Sequence, residues 1–350
     1  MLLSNLRACR DTVSGLSRRS RTTRPIEVSA NFSRLADPAF GALLKDYLYG
    51  QDQAIDDMAL HMATEALTRQ DHQPLRMEAQ GTPGTGKSAY LELTAEYLDI
   101  PYIQIDCASL PDTYAASTQV FGVAGGLVGS DRVGRLEEAA LSRRGAVVEI
   151  SDLDHAPPGV RAQLADQFLQ ALDMGEAQTG TGRLFSCAKL IMAFTMNLPD
   201  GRDGTLRSGF GFTKEPTREQ VKDRVRTELR RILSGAFLSR VGDPIIFDPL
   251  DRRAYLSIIR FHLEKAVHAA ASRLGYTVTS VQVREDAASR VLASLQVDVV
   301  STGARGLAEF ARAKAAQSLL HFQAKHKNGF SGKLSVKPCE TNQIIQIIEE

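Results

Sequence analysis

Short apolar segments alternate with amphipathic segments along residues 50–250. Segments with apolar residues at every second position, or in continuous runs, predict β-strands at 75–79, 102–106, 146–151 and 189–196. Segments with apolar residues at three- and four-residue spacing predict helices at 54–66, 135–142 and 160–172. Strands that alternate with helices form parallel sheets with helices on both faces. The pattern therefore predicts a three-layer α/β/α fold.

The pattern changes after a polar loop between Pro199 and Pro216. An amphipathic helix is predicted at 220–233 and a short strand at 245–247, and the following Asp-Pro-Leu is typical of a hinge. Beyond it we predict helices and a small sheet, the helices at 253–274, 285–295 and 306–324 and the strands at 276–278, 333–336 and 343–348. We therefore expect a basic N-terminal tail, a large subdomain and a mainly helical lid subdomain, at 1–39, 40–250 and 251–350.

The bulk composition excludes several classes of protein. Apolar residues make up 43% of the 350, charged residues 24%, and the net charge is +1. A near-neutral chain does not indicate a nucleic-acid partner, which normally requires a basic excess. No apolar run approaches the roughly 18 residues of a membrane span. The four cysteines are far apart and lack zinc-type spacing, which predicts reduced thiols in a cytoplasmic protein.

The first two dozen residues differ from the rest, with six arginines and one acidic residue, Asp11, among many serines and threonines. A secretory apolar segment is not indicated, because Ser4 and Asn5 interrupt the initial Met-Leu-Leu. An organelle transit peptide and a disordered basic tail both have this composition. We favour a tail that contacts a partner.

A complete phosphate-binding loop, Gly-Thr-Pro-Gly-Thr-Gly-Lys-Ser, lies between a predicted strand and a predicted helix. Its glycines let successive backbone N–H groups point at phosphate oxygens, and the helix N-terminus adds a positive dipole. The ammonium of Lys87 suits the β- and γ-phosphates, and the hydroxyl of Ser88 suits Mg²⁺. We therefore predict that ATP and Mg²⁺ bind at Gly81, Thr82, Pro83, Gly84, Thr85, Gly86, Lys87 and Ser88.

Further motifs follow at nearly constant spacing, and together they resemble a Clp-type AAA+ ATPase module, the kind that forms the second ring of Clp disaggregases and unfoldases. The resemblance extends from Tyr49 to Glu350. It implies an AAA+ large subdomain with a lid, assembled as a homo-oligomeric ring and expected to be a hexamer. Gly50-Gln51 resembles the family's motif beside adenine, and the resemblance places Tyr49 and Gly50 at the nucleotide base.

Three residues resemble the family's sensors of the γ-phosphate. Asn197, at the tip of an apolar strand, resembles sensor 1, and the resemblance implies that it orients the attacking water. Arg305, in Gly303-Ala304-Arg305, resembles sensor 2 of the lid, and Arg240 falls at the arginine finger that acts on a neighbouring subunit. Hydrolysis of a γ-phosphate depends on positioning and charge stabilisation, which such donors and cations supply.

The metal-binding strand departs from the family's pattern of four apolar residues followed by Asp-Glu. Here Val-Val-Glu-Ile precedes Ser151-Asp152. By the resemblance, Ser151 replaces the metal-shell Asp, and Asp152 replaces the catalytic Glu with one methylene less. Two interpretations follow: slow hydrolysis in which Asp152 activates water, or ATP bound as a structural element with negligible turnover. The sensors and the finger favour hydrolysis.

Glu149 places a carboxyl group inside the same predicted strand. A buried charge is costly unless it is paired or hydrogen-bonded. Either an ion pair with Arg76 or a neutral Glu149 would remove this cost, and the sequence does not decide between them.

The loop Gly126-Leu127-Val128-Gly129 lies where the family has its substrate-gripping pore loop, usually Gly-Tyr-Val-Gly. Leu127 keeps apolar contact with an extended chain but has less area than an aromatic ring. Residues 179–183 lie where Clp modules carry a second axial loop. Residues 208–212 lie near the family's peptidase-docking tripeptide, but this Gly and Phe pattern also occurs in members that do not dock, so a Clp peptidase partner is not expected.

These features predict an ATPase ring that remodels or unfolds a protein partner through its pore by hydrolysing Mg-ATP. The basic tail or an adaptor would recruit that partner. The alternative is a hydrolysis-weak, ATP-dependent scaffold or assembly factor in a larger complex, such as a secretion or conjugation machine. A replication or transposition ATPase fits less well, because the chain lacks a basic balance.

Overall fold

The computed structural model of the protein describes residues 32–126, 132–197, 217–295, 303–326, 329–339 and 344–349. Chain contacts divide it into two compact units. The first contains the described residues up to Leu48, together with Gln53–Gly81 and Lys87–Phe247. The second contains Tyr49–Asp52, Thr82–Gly86 and the described residues from Asp248 onward.

The first unit is built on a five-stranded parallel sheet, which confirms the predicted α/β fold. Its described residues include seven strands: β1 (Leu75–Gly81), β2 (Tyr102–Asp106), β3 (Ala146–Ser151), β4 (Glu176–Gln178), β5 (Leu184–Ser186), β6 (Leu190–Met196) and β7 (Pro244–Phe247). The order across the sheet is β2-β3-β6-β1-β7. Strands β4 and β5 form a separate antiparallel hairpin that the sequence pattern did not predict.

Eight α-helices belong to the described part of this unit: α1 (Pro38–Lys45), α2 (Asp52–Thr68), α3 (Lys87–Leu98), α4 (Thr113–Phe121), α5 (Arg135–Ala140), α6 (Pro158–Met174), α7 (Arg218–Leu229) and α8 (Gly235–Val241). Single 3₁₀ turns lie at Phe32–Ala36, Cys107–Ser109 and Leu153–His155. The predicted helix at 220–233 is therefore confirmed, although it begins and ends earlier than expected.

Two apolar cores cover the two faces of the sheet, because side chains alternate along each strand. From β3, Val148 and Ile150 pack in the core that contains Phe168 of α6. Val147 packs in the opposite core, with Leu91 of α3. The alternation therefore places residues 147, 149 and 151 on the face that α3 covers.

The described part of the second unit contains three helices, two of them long, and a mixed three-stranded sheet. The helices are α9 (Arg252–Arg273), α10 (Glu285–Ala293) and α11 (Gly303–Lys325), and the strands are β8 (Thr277–Val283), β9 (Ser331–Pro338) and β10 (Ile345–Glu349). Strand β9 is parallel to β8 and antiparallel to β10. The helices and the sheet share one apolar core, which includes Leu263, Leu319 and Val336. The small sheet predicted from sequence is thereby confirmed.

The carboxyl group of Glu78 lies inside the large sheet. Glu78 of β1 is only 1% exposed and accepts a hydrogen bond from Nε2 of Gln80 at 2.8 Å. Burial raises the pKa of Glu78 from 4.5 to about 7. The folded chain therefore holds a proton that the unfolded chain releases as the pH rises from 4.5 to 7, and stability falls across this window.

We expect Glu78→Gln to be more stable than wild type at pH 8 by about 3 kcal/mol, since one pKa unit is worth 1.36 kcal/mol. The Gln side chain is neutral at every pH and can accept the same hydrogen bond from Gln80. The advantage should shrink as the pH falls to 5. Urea unfolding at pH 5 and pH 8 measures it, with the exposed Glu138→Gln as the control. Equal midpoints for wild type and Glu78→Gln at pH 8 would contradict the prediction.

Candidate functional site

The phosphate-binding loop joins β1, which ends at Gly81, to α3, which begins at Lys87. Within it, Gly84 and Gly86 have φ angles of 76° and 111°, which residues with side chains rarely adopt. The hydroxyl of Thr85 donates a hydrogen bond to the carbonyl of Thr82 at 2.9 Å. The loop therefore has the glycine-dependent turn that the sequence predicts.

The ammonium of Lys87 is held at the carboxyl edge of the sheet. It donates hydrogen bonds to the carbonyl of Gly81 at 2.6 Å and to Oδ1 of Asn197 at 3.3 Å. Burial lowers the pKa of Lys87 to about 8, although the carboxylates of Asp152, Asp154 and Glu149 act in the opposite direction. A partly buried cation at this edge is suited to an anionic ligand.

The carboxylate of Asp152 lies at the same edge. Its φ of 53° turns the chain sharply as β3 ends. Nδ2 of Asn197, which follows β6, donates a hydrogen bond to Oδ1 of Asp152 at 2.7 Å. Because β3 and β6 are adjacent parallel strands, both residues leave the sheet on one side. Lys87, Asn197 and Asp152 thus form a continuous hydrogen-bonded chain.

Glu149 is fully buried and accepts hydrogen bonds from three hydroxyl groups. The Oγ of Ser88 lies 2.8 Å from its Oε1, and the Oγ1 of Thr195 lies 2.7 Å from the same oxygen. The hydroxyl of Tyr102 donates to Oε2. Of the two alternatives that the sequence left open, the ion pair with Arg76 is not formed, because Arg76 pairs instead with Glu65 at 3.2 Å. Sequence reasoning missed this network.

The hydroxyl of Ser151 is hydrogen-bonded towards strand β2. It accepts from Nε2 of Gln104 at 3.3 Å and donates to the carbonyl of Ile105 at 3.4 Å. Ser88 and Ser151, both predicted at the metal, therefore contact different groups. The metal role of Ser151 stays a prediction.

The oxygen donors near Lys87 are of the kind that Mg²⁺ prefers, since it takes hydroxyl, carboxylate and water oxygens. Ser88, Glu149 and Asp152 supply them on this side of the sheet. Among the described residues, Asp152, Asp154 and His155 also bring ligand atoms within 4.8 Å of one another. Burial raises the pKa of Asp154, whose carboxylate pairs with Nδ1 of His155 at 2.9 Å. The donor set fits a hard divalent cation.

The predicted sensor 2 segment contacts the phosphate-binding loop within the second unit. Gly303 has a φ of 61°, and a Cβ atom there would lie 2.6 Å from the carbonyl of Pro83. The N–H of Ala304 donates a hydrogen bond to the carbonyl of Gly84 at 3.0 Å. Only glycine permits this close approach. Arg305 is the next residue and its side chain is exposed.

The motif predicted beside adenine is also fixed within the second unit. Gln51 exchanges two hydrogen bonds with the backbone of Asp248, at 2.8 Å and 3.1 Å. Gly50 has a φ of 76°, and a Cβ atom there would lie 2.8 Å from the Cβ of Ala254. The ring of Tyr49 packs edge-on against Phe261. Their contact with a nucleotide base stays a prediction.

The predicted arginine finger, Arg240, lies near the end of α8 and forms an ion pair with Asp173 at the end of α6. The Nε of Arg240 donates to Oδ1 of Asp173 at 2.8 Å. This exposed pair lies within one chain, so the action of Arg240 on a neighbouring subunit stays a prediction.

Gly126 is the only residue of the predicted pore loop that the structure describes, and its φ is 85°. Leu127, Val128 and Gly129 lie outside the described residues, as do the basic tail and the segment 208–212. The predicted second axial loop is described. Within it the N–H of Gly180 donates to the carbonyl of Phe121 at 3.0 Å, against the chain that leads to Gly126.

The large sheet has the strand order β2-β3-β6-β1-β7, and a phosphate-binding loop follows β1. This arrangement is that of the P-loop AAA+ fold. Comparison with known proteins narrows this class. The family profile described as AAA domain (Cdc48 subfamily) matches residues 73–243. This match, together with the relatives and the solved structure described next, supports a Clp-type AAA+ ATPase module.

Its curated relatives include Clp proteins of plants and bacteria. The chain is 28% identical over 222 residues to the chloroplastic chaperone protein ClpB3 of Arabidopsis thaliana, covering 62% of this chain and 22% of that protein. It is 29% identical over 196 residues to the chaperone protein ClpB of Corynebacterium diphtheriae, covering 55% of this chain and 20% of that protein. The chain therefore spans about a fifth of the length of these relatives.

A solved structure shares the fold. It is the closed state of Hsp104 with ATPγS and FITC casein, which superposes with a TM-score of 0.69 at 21% identity. The match covers 91% of this chain and 52% of the other.

Among the described residues, none of the helices has both the length and the apolar character that a membrane span requires.

Proposed function

We propose that this chain binds Mg-ATP and hydrolyses it as a ring of like subunits, expected to be a hexamer, to remodel or unfold a protein partner through a central pore. The hydrogen-bonded chain of Lys87, Asn197 and Asp152 carries the proposal. It joins a phosphate-binding cation, a polar orienting group and a carboxylate at one edge of the sheet. Relatives named as chaperones and the Hsp104 fold support the ring and the protein partner.

Each of these side chains has a distinct task in the proposed reaction. Lys87 binds the β- and γ-phosphates and neutralises the negative charge that develops as the γ-phosphoryl group is transferred to water and ADP leaves. Asp152 accepts a proton from the attacking water, and Asn197 holds the Asp152 carboxylate in position. A bound Mg²⁺ supplies further charge neutralisation at the phosphates. The resemblance adds Arg305 and Arg240 at the γ-phosphate, and both assignments stay predictions, as does the cytoplasmic location.

A hydrolysis-weak scaffold is the second candidate, and the environment of Ser151 favours it. The serine carries no charge, and its hydroxyl is hydrogen-bonded to β2. A chain that lacks the metal-shell carboxylate at this position could use ATP to stabilise an assembly without rapid turnover.

Steady-state ATP hydrolysis and sedimentation velocity, measured with and without ATP, distinguish the two candidates. We expect ATP to promote assembly in both, because ligand at about 100-fold over its Kd stabilises the state that binds it by about 2.7 kcal/mol. Assembly with turnover supports the remodelling ATPase. Assembly without turnover supports the scaffold. An oligomer that is unchanged by ATP contradicts both.

We predict that Leu127→Ala uncouples ATP hydrolysis from work on the partner. The shorter side chain loses most of the apolar area that would grip an extended polypeptide. Unfolding of a fluorescent protein with an unstructured tail should fall by about tenfold or more, while ATP affinity is unchanged. Leu127→Tyr should preserve or improve unfolding. If the Ala variant unfolds the substrate at the wild-type rate, this loop does not grip substrate.

A further inference from the structure

We propose that Glu149, rather than Ser151, is the carboxylate that completes the Mg²⁺ site of bound ATP, acting through the hydroxyl of Ser88. This inference rests on the proposed function, since it concerns the metal that accompanies ATP. It differs from the assignment that the sequence resemblance gives, which places the metal-shell residue at Ser151.

The hydrogen bond from Ser88 to Glu149 carries the inference. The Oγ of Ser88 donates its only hydrogen to Oε1 of Glu149 at 2.8 Å. A hydroxyl that donates to a carboxylate keeps its lone pairs for a cation, and the carboxylate makes that oxygen a better ligand. The P-loop serine is the residue whose hydroxyl is expected to bind Mg²⁺. Glu149 is therefore the carboxylate that supports the Ser88 hydroxyl as a ligand of Mg²⁺.

Strand geometry explains how Glu149 can reach this place. Residues 149 and 151 of β3 point to the same face, which α3 covers, because side chains alternate along a strand. Two residues separate their Cα atoms by roughly 6.5–7 Å. Helix α3 begins above this face with Lys87 and Ser88, and the glutamate at the earlier position contacts Ser88.

Two further hydroxyl groups fix the carboxylate in this orientation. Thr195 of β6 donates to Oε1, and Tyr102 of β2 donates to Oε2. All three partners of Glu149 are hydroxyl donors, which match a carboxylate acting only as acceptor. Hydrogen bonds from α3, β2 and β6 thus fix the position of the buried Glu149 carboxyl group. The Ser151 hydroxyl, by contrast, is hydrogen-bonded to two residues of β2.

The test measures how strongly Mg²⁺ and nucleotide binding are coupled, without any measurement of turnover. The Kd for a fluorescent N-methylanthraniloyl ATP is measured in EDTA and in saturating Mg²⁺. The coupling is the Kd in EDTA divided by the Kd in Mg²⁺. Removing a group that supports a metal ligand costs about 10- to 100-fold in metal affinity. We therefore expect Glu149→Gln to lower this ratio by about tenfold or more. The Kd measured in EDTA should change little.

Two matched variants test the choice between the two positions. Ser151→Ala should leave the ratio within about twofold, because its hydroxyl does not contact Ser88. The double variant Glu149→Gln/Ser151→Asp should recover most of the lost coupling, because it returns a carboxylate to the same face of β3. If Glu149→Gln does not fold by circular dichroism, Glu149→Asp takes its place with the same expectation, since it shortens the reach and keeps the charge.

The outcomes separate this inference from the proposed function. Wild type that binds no nucleotide in EDTA or in Mg²⁺ overturns the proposed function and the role of Glu149 with it. If wild type binds nucleotide, two results overturn the role of Glu149 alone. One is a coupling that is unchanged in the Glu149 variant, and the other is a coupling that is lost in Ser151→Ala. Loss of coupling in Glu149→Gln with recovery in the double variant supports it.

Discussion

Asp152→Asn is expected to hydrolyse ATP about 10²–10⁴-fold more slowly than wild type, the usual cost of removing a positioned general base. The amide has nearly the shape of the carboxylate and can still contact Asn197 after an amide flip, but it cannot accept a proton from water. Because the loss concerns the transition state, the ATP affinity should stay within about threefold of wild type.

Steady-state turnover and nucleotide titration of the same preparations measure this effect. The matched control is Asp166→Asn, an exposed aspartate on α6, which should retain wild-type turnover. A variant that keeps the full rate would show that another carboxylate activates water, and Asp154 would then be tested next. A parallel loss of ATP affinity and turnover would make Asp152 a binding or structural residue.

Lys87→Ala is expected to weaken ATP binding by about 2–5 kcal/mol, or roughly 30- to 5,000-fold in Kd, because truncation leaves phosphate charge without its buried partner. The loss should remove ATP-dependent thermal stabilisation and assembly as well. Lys45→Ala, at a partly exposed lysine paired with Asp56, is the control and should bind ATP normally. ATP affinity that survives in Lys87→Ala would mean that the loop does not bind the phosphates as proposed.

The pKa of Lys87 adds a pH dependence to the same prediction. In the nucleotide-free chain this pKa is about 8, so below pH 8 the ammonium is charged and binds phosphate directly. Above pH 8 a proton has to be taken up on binding, and the affinity should fall by up to about tenfold per pH unit. Titration calorimetry in buffers of different ionisation enthalpy measures this proton uptake. Lys87→Ala should lose both the uptake and the added pH dependence.

The features of this protein that depend on local residue spacing could be predicted from its sequence. Alternating strands and helices predicted the parallel sheet, and the P-loop predicted where Lys87 and Ser88 lie relative to β1 and α3. These predictions succeed because apolar periodicity fixes which face each element buries, and because the loop needs its glycines at fixed positions. Asn197 and Asp152 were also predictable, since each follows an apolar strand at the sheet edge where parallel strands end together.

The hydrogen-bond partners of Glu149 could be identified only from the folded chain. The sequence offered Arg76, but that arginine pairs with Glu65, and the carboxyl accepts hydrogen bonds from Ser88, Tyr102 and Thr195. These donors are 46 to 61 residues from Glu149 along the chain. They meet it because β3 lies between β2 and β6 and because α3 covers the same face. Strand order and register determine such contacts. Neither can be read from the apolar pattern of a single strand.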